Sequence, residues 1–406
     1  FPFGMSQEFA LPLALAWALD LPGNRWFGDP AIREWAIAGI RYAARSAHAD
    51  GSCDDYYPFE RAAGAAAFSL YAALHVAQLL DCTQDPEIAA FLRLRGRWLA
   101  HHRESGRLSN HEALIVACLA MLGQVTGSPE WEAPLMERVA RLKSWQHAEG
   151  WFDEYGGADP GYLSLTIGLL AETDRLRPDL ALREPCGRAI AFLARFVHPD
   201  GSLGGEYASR GTRNFFPHGF EIAGAWSEAA LRINDRALAP LREDRQPCYA
   251  DDHIVGHHVW SWLRAWAEWR AERPAALPPP EGRTHFPGAR LLVDDAPGSH
   301  LFVGTARGGA FKLFDDRALV VSDTGPTLAT QAGRVAVTHL EGSRLIAEEP
   351  GRLVIEGRMA WAKSARLTPA KSVVLRVLML GFGRFFPDLI RRLLQALIVM
   401  LTVAFI

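Results

Sequence analysis

The sequence is short of the features that would place it quickly. Its five cysteines, Cys53, Cys82, Cys118, Cys186 and Cys248, are odd in number, widely spaced and free of any CxxC pair. That spacing suggests neither a zinc ribbon nor a disulfide framework, and no metal or cofactor is expected. Charge of one sign is not in excess: 43 Lys plus Arg stand against 46 Asp plus Glu, a net charge of -3. No global basic field draws the protein to nucleic acid, so an anionic ligand needs a local cluster of cations. The one long apolar run, 396–406, is shorter than the about 20 residues that span a bilayer. It reads as a core segment or as an interfacial or anchoring one, which leaves membrane association through the tail, and a periplasmic or membrane-associated location, open. At the other end no charged segment precedes a hydrophobic run after Phe1.

What is present is an ordinary globular composition, 49% apolar and 22% charged over 406 residues. This length exceeds the roughly 250 to 300 residues at which single cores stop growing, so at least two structural units are expected. From 8 to 272 apolar residues recur three and four apart, predicting helices at 8–20, 30–48, 58–81, 86–101, 110–126, 129–147, 160–175, 179–197, 219–234 and 252–272. Every second connector is longer and carries an acid-Gly pair: Asp50-Gly51, Glu149-Gly150 and Asp200-Gly201. A repeated two-helix unit follows, which closes into an α/α toroid or stacks as a solenoid. Ser109 to Glu112 reads as a capping box, Asp159-Pro160 as an N-cap and first-turn proline, and Pro58 as another first-turn proline. In a ring these helix starts line one mouth, where partly positive helix ends favour an anion.

The proline-rich stretch 273–282 separates this helical region, 1–272, from 283–368, where short β-prone segments at 301–303, 310–314, 318–322, 335–339 and 352–358 read as an antiparallel β-sandwich. A basic and apolar helical tail, 369–406, follows. The fold class is therefore mainly α, an incomplete α/α toroid of helical hairpins followed by an antiparallel β-sandwich domain.

Polar and aromatic residues concentrate on the long connectors. Tyr57, Glu60 and Arg61 lie on the first; Trp151, Glu154, Tyr155 and Tyr162 on the second; Glu206, Tyr207, Arg210, Arg213, Asn214 and His218 on the third; Asn110 and His111 open a helix beside them. The mixture suits a polyanionic sugar. Breaking a glycosidic bond by elimination next to a uronic acid requires an amide or cation to offset the charge that builds when the C5 proton leaves, and a base and an acid, commonly Tyr or His. Trp226 and the series Trp260, Trp262, Trp266 and Trp269 offer apolar faces, although the helical spacing of the latter four predicts mostly core positions. His253 and His257, four apart on a predicted helix, lack a third ligand at a matching offset.

These residues resemble the heparinase II/III-like polysaccharide lyases. The resemblance lies in the Asn110-His111 helix start, in 149–162, and in 286–288 through 323–325. It implies an α/α toroid with a β-sandwich, an acidic polysaccharide or oligosaccharide as substrate, Asn110 as neutraliser of the uronate, and Tyr162 as base or acid. Two departures stand out. Leu163 follows Tyr162 where the family has His, and 304–310 occupies the place of a His-x-His-x-Asp segment, so a lyase would recruit His111 or His218. Catalysis is thus expected from Asn110, His111, Tyr162, Tyr207 and His218, with the other connector residues binding substrate. Two alternatives remain: a glycoside hydrolase with Asp54 or Asp55 opposite Glu154 or Glu206, about 5 to 9.5 Å apart, or a glycan-binding or exopolysaccharide-assembly protein without catalysis.

Overall fold

The computed structural model describes residues 5–55, 58–104, 106–243, 252–278, 281–339, 342–362 and 368–386, with 389, 390 and 393. Eleven helices come first among them: α1 (Ala10–Ala18), α2 (Pro30–Ser46), α3 (Ala63–Leu79), α4 (Pro86–His101), α5 (Ser109–Thr126), α6 (Glu132–Ser144), α7 (Pro160–Leu176), α8 (Arg183–Leu193), α9 (His218–Ala223), α10 (Glu228–Leu238) and α11 (Asp252–Ala267). The odd-numbered helices α3, α5 and α7 are apolar on nearly every side and buried on nearly every side, as an all-round apolar helix must be. Each odd-numbered helix packs on the next, and α11 packs back on α1, which closes an inner ring. The amphipathic α2, α4, α6, α8 and α10 pack outside their preceding partners. Among the described elements α11 has no outer partner, so the outer layer is incomplete.

Asp29-Pro30, Asp85-Pro86 and Asp159-Pro160 each start a helix, with the Asp carboxylate accepting first-turn amides. Pro58 does not. It lies in a turn that holds Phe59 and Arg61 at positive φ, and α3 begins only at Ala63. The helix expected over 219–234 is two, because the chain turns at 224–227 and Ser227 caps α10 through Ala230 N. In α11, Trp260 and Trp262 are buried as expected, but Trp266, and Trp269 just beyond it, are nearly half exposed.

One turn recurs at the end of three outer helices. In it the amide of Gly51, Gly150 or Gly201 donates to the carbonyl of His48, His147 or His198 respectively, and each glycine has a φ of 84 to 103°. The missing side chain matters as much as the φ. A Cβ on Gly51 would lie 2.7 Å from the Leu94 carbonyl of α4, one on Gly150 2.4 Å from Arg188 O of α8, and one on Gly201 2.3 Å from Arg236 O of α10. Each acid-Gly turn is therefore pressed against the following outer helix.

The strands begin with an antiparallel meander, β1 (Gly282–Phe286), β2 (Leu291–Ala296), β3 (Ser299–Gly304), β4 (Ala310–Asp315) and β5 (Ala318–Asp323), paired in that order. A second sheet runs β10 (Ala360–Ala362), β7 (Val335–Val337), β6 (Thr327–Ala329), and β8 (Arg344–Glu349) pairs with β9 (Arg352–Glu356). Strands β1, β2, β6, β8 and β10 lay outside the segments expected from sequence. Leu291, Val293, Phe302 and Phe314 belong to the same hydrophobic core as the inner helices. Phe286 meets Phe192 and Phe196 at ring separations of 5.0 and 5.4 Å, and His198 meets Phe302 at 4.6 Å. The meander thus sits on the mouth where the long connectors emerge. Beyond it, α12 (Pro369–Leu378) has no buried residue and exposes Val373, Val374 and Val377. The run 396–406 and Cys248 lie outside the described residues, and no described helix is long and apolar enough to cross a membrane.

Across the ring, a buried ion pair ties three inner helices. Arg264 of α11 donates to both carboxylate oxygens of Glu172 on α7, at 2.7 and 3.0 Å, and Tyr71 and His75 of α3 complete the cluster. Burial opposes the Glu172 anion, but Arg264 and His75 outweigh it and hold its carboxyl well below the usual range. A depressed carboxyl contributes stability above its unfolded value and loses it as pH falls through the folded one, so this contribution is complete at neutral pH. Arg264→Leu, which strands a buried carboxylate, is expected to cost about 3 to 5 kcal/mol in denaturant unfolding. A loss under about 1 kcal/mol, the size of an exposed pair, would show that the cluster does not tie the ring.

Candidate active site

Two buried carboxylates organise the mouth. Glu154, on the α6–α7 connector, accepts the Ser109 hydroxyl at 2.7 Å and the Asn110 amide at 3.0 Å. It caps α5 from outside the helix, so Ser109 and Glu112 do not form the expected capping box. Glu112 instead pairs with buried Arg138 of α6 at 2.8 Å. Asp159 accepts the Tyr162 amide at 3.0 Å, which makes it the expected N-cap of α7, and its other oxygen accepts the amides of Arg210 and Thr212 at 3.1 and 3.2 Å. The two acids thereby tie the α6–α7 connector to the start of α5 and to the α8–α9 connector. Burial raises both carboxyls, and the accepted hydrogen bonds counter it.

Around these anchors lie two groups of candidate residues. In the first, His111 Nδ1 lies 2.8 Å from Glu104. The ring occupies the space where a Cβ on Gly64 of α3 would stand, 2.4 Å from its Cε1, so any side chain at residue 64 would displace it. Burial disfavours the His111 imidazolium, but Glu104, Glu154 and Asp55 together raise its pKa above the ordinary histidine value. In the second group Tyr155, held at a φ of 54°, stacks on Tyr162 with ring centres 6.3 Å apart, and the Arg210 guanidinium lies 4.9 Å over the Tyr155 ring. Burial, then Tyr155, pushes the Tyr162 hydroxyl up to about 12, while Arg210 works against them. Glu154 links the two groups: its carboxylate accepts the amide of Asn110, the chain neighbour of His111, and Tyr155 follows it in the chain.

The other expected residues fall elsewhere or serve the fold. Tyr207 is fully buried, hydrogen-bonded to His198 at 2.9 Å and stacked toward Phe302, so it packs the joint between helices and strands. His218 is fully buried against Gly168 of α7, with Nδ1 2.8 Å from Ser261, and burial then Arg264 hold its pKa well below the usual value. His218 is closed off from the mouth, whereas Tyr207, its hydroxyl committed to His198, borders a cavity with Gly157 and Ser209. Trp151 is buried, stacked on His147 and bonded to Glu149, whose carboxylate also receives the amides of Gly288 and Ala289. Asn110 is 1% exposed and its side-chain oxygen is buried without a hydrogen-bond partner. Arg61 pairs with Asp50 at 3.2 Å, Glu60 accepts the Asp55 amide, and Glu206 pairs with Lys312 at 3.1 Å. Asn214 meets the ring of buried His258, and Arg213 is exposed. His257 of α11 is paired with Glu8 at 2.9 Å, and the side chain of His253 lies outside the described residues, as does Tyr57. Glu104 was missed, because its role appears only when α5 brings His111 beside it.

No family model matches the chain, and no curated protein is similar to it in sequence. Solved structures do match. The chondroitin AC lyase of Streptomyces coelicolor A3 in complex with chondroitin sulphate aligns with a TM-score of 0.53 at 13% identity over 88% of this chain and 60% of the other; a point mutant of the same enzyme aligns at 0.50 with the same identity and coverage. A Paenibacillus xanthan lyase aligns at 0.51, with 10% identity, over 88% of this chain and 40% of the other. This chain therefore spans less than two thirds of either lyase. Ring, mouth and antiparallel β region together give this chain the fold of the polysaccharide lyases, an α/α toroid followed by a β domain.

Proposed function

We propose that this protein cleaves an acidic polysaccharide by β-elimination next to a uronic acid. The observation that carries the reading is the Tyr155–Tyr162–Arg210 stack and the His111–Glu104 pair, linked through Glu154 at the start of α5 in a polysaccharide-lyase fold. Elimination takes the C5 proton, forms the C4–C5 double bond and expels the C4 oxygen, which leaves with a proton. A Tyr162 hydroxyl at about 12 is protonated at neutral pH, so it supplies the proton to the leaving oxygen. With His218 in the core, His111 is the histidine left to accept the C5 proton, Glu104 orienting its ring and stabilising the imidazolium that forms. Arg210, exposed above Tyr155, offsets the uronate charge; Asn110, the amide that the resemblance nominates for this task, lies buried at the start of α5.

A hydrolase is supported less well. Of its four candidate carboxylates, Asp54 is engaged with His48 and two backbone amides, one oxygen of Glu154 caps α5, and Glu206 pairs with Lys312, while Asp55 offers no opposing carboxylate by itself.

With a panel of acidic polysaccharides, ultraviolet absorbance of the unsaturated uronate product is expected to rise. Tyr162→Phe is expected to lower kcat by about 10²- to 10⁴-fold, the size of a general-acid contribution, and Asn110→Ala tests the nominated amide in parallel. Activity in Tyr162→Phe equal to that of the parent would remove Tyr162 from the reaction. The pH profile makes a second test. A base must be neutral, so the rate rises with pH through the raised pKa of His111, and Glu104→Gln is expected to move that limb to lower pH. An unmoved limb would assign the base elsewhere.

A further inference from the structure

A cavity of about 180 Å³ lies between the connectors and the β meander, bordered by Gly156, Gly157, Ser209, Arg290, Arg307 and His339. It has several times the roughly 30 Å³ share of a water molecule. Arg290 ends the β1–β2 turn at a φ of 57°, and Arg307 lies in the β3–β4 loop. Arg290 donates to Gly156 O at 3.4 Å and Arg307 donates to Ser209 O. Among the described residues neither guanidinium has a carboxylate within 4.0 Å. Burial, and next the neighbouring Arg290, hold Arg307 below its ordinary value, with Asp159 the acid acting against them. Two guanidiniums and a histidine thus border one polar cavity, and among the described residues no carboxylate pairs with either guanidinium within 4.0 Å. Gly156 and Ser209, to which the arginines are bonded, are the chain neighbours of Tyr155 and Arg210.

We propose that this cavity is a second anion subsite, which holds a carboxylate or sulfate group of the acidic polysaccharide at a sugar beyond the one that reacts. Arg290 and Arg307 bind the group as charge-assisted donors, and His339 lines the same cavity. The inference rests on the reading of the mouth as a polysaccharide site. It differs in assigning recognition to the strand region, where 304–310 carries Arg307, and in placing two cations outside the reacting group.

The test uses the full chain with two readouts. Inorganic sulfate is expected to raise the thermal midpoint of the parent, and Arg290→Gln with Arg307→Gln is expected to abolish the rise. With a cleaved polysaccharide the same pair is expected to raise KM about tenfold or more, the scale of a lost hydrogen bond to a charged group, with kcat within about twofold. Arg290 is exposed, so Arg290→Gln alone tests the site without touching the core and is expected to show a smaller rise in KM. Parallel assays on sulfated and sulfate-free uronate polymers tell which group is held, since the KM effect follows the polymer that carries it. Equal stabilisation by sulfate in parent and double variant, with unchanged KM, overturns the subsite whatever the fate of the elimination reading. If no polymer is cleaved but sulfate stabilises only the parent, the elimination reading falls and the anion subsite stands.

Discussion

The structure depends on how closely each helical hairpin approaches the next. Gly51, Gly150 and Gly201 bring the backbone of a turn against the carbonyl of the following outer helix, where a Cβ would need to pass within 2.3 to 2.7 Å. That contact, repeated three times, fixes the spacing of the hairpins and delivers every long connector to the same end of the ring. The inner helices accept this spacing because they meet through alanine-rich, fully buried faces such as 63–67 of α3. The ion pair of Arg264 with Glu172 then joins α11 to α7 across the interior. What the mouth presents follows from these packing facts, since its residues ride on connectors whose positions the ring has already set.

At the mouth, two buried acids serve the architecture. One oxygen of Glu154 and both of Asp159 accept amides from the starts of α5 and α7 and from the α8–α9 connector. Their effect is indirect but large: they hold Tyr155, Tyr162 and Arg210 on one side and His111 on the other. The β meander completes the arrangement. It shares the core through Phe286, Phe302 and Phe314, and it faces the same connectors with Arg290 and Arg307.

Much of this frame was legible in the sequence, for identifiable reasons. Acid-Gly pairs at outer-helix ends are local signals that located the hairpin repeat, and Asp159-Pro160 marked the start of α7. The concentration of polar aromatics on the long connectors pointed to one mouth because all these connectors leave from equivalent helix ends. What failed was partner choice. Glu112 obeys capping-box spacing yet bonds to Arg138, a residue that only the packing of α6 on α5 brings near. Tyr207 and His218 look reactive as residue types, but each lies on the buried side of its segment, and no local pattern separates the two sides of an irregular connector. The contact of Arg210 with Tyr155 and that of His111 with Glu104 arise from long-range folding and chain reversal, so they too were invisible beforehand.

The most direct test of the central claim is the mass of the products released from a defined uronate-containing oligosaccharide. Elimination adds no water, so the account predicts fragments whose masses sum to that of the starting chain, one of them carrying the unsaturated uronate. Fragments whose masses together exceed the starting chain by one water would show hydrolysis, and would contradict the roles assigned to Tyr162 and His111.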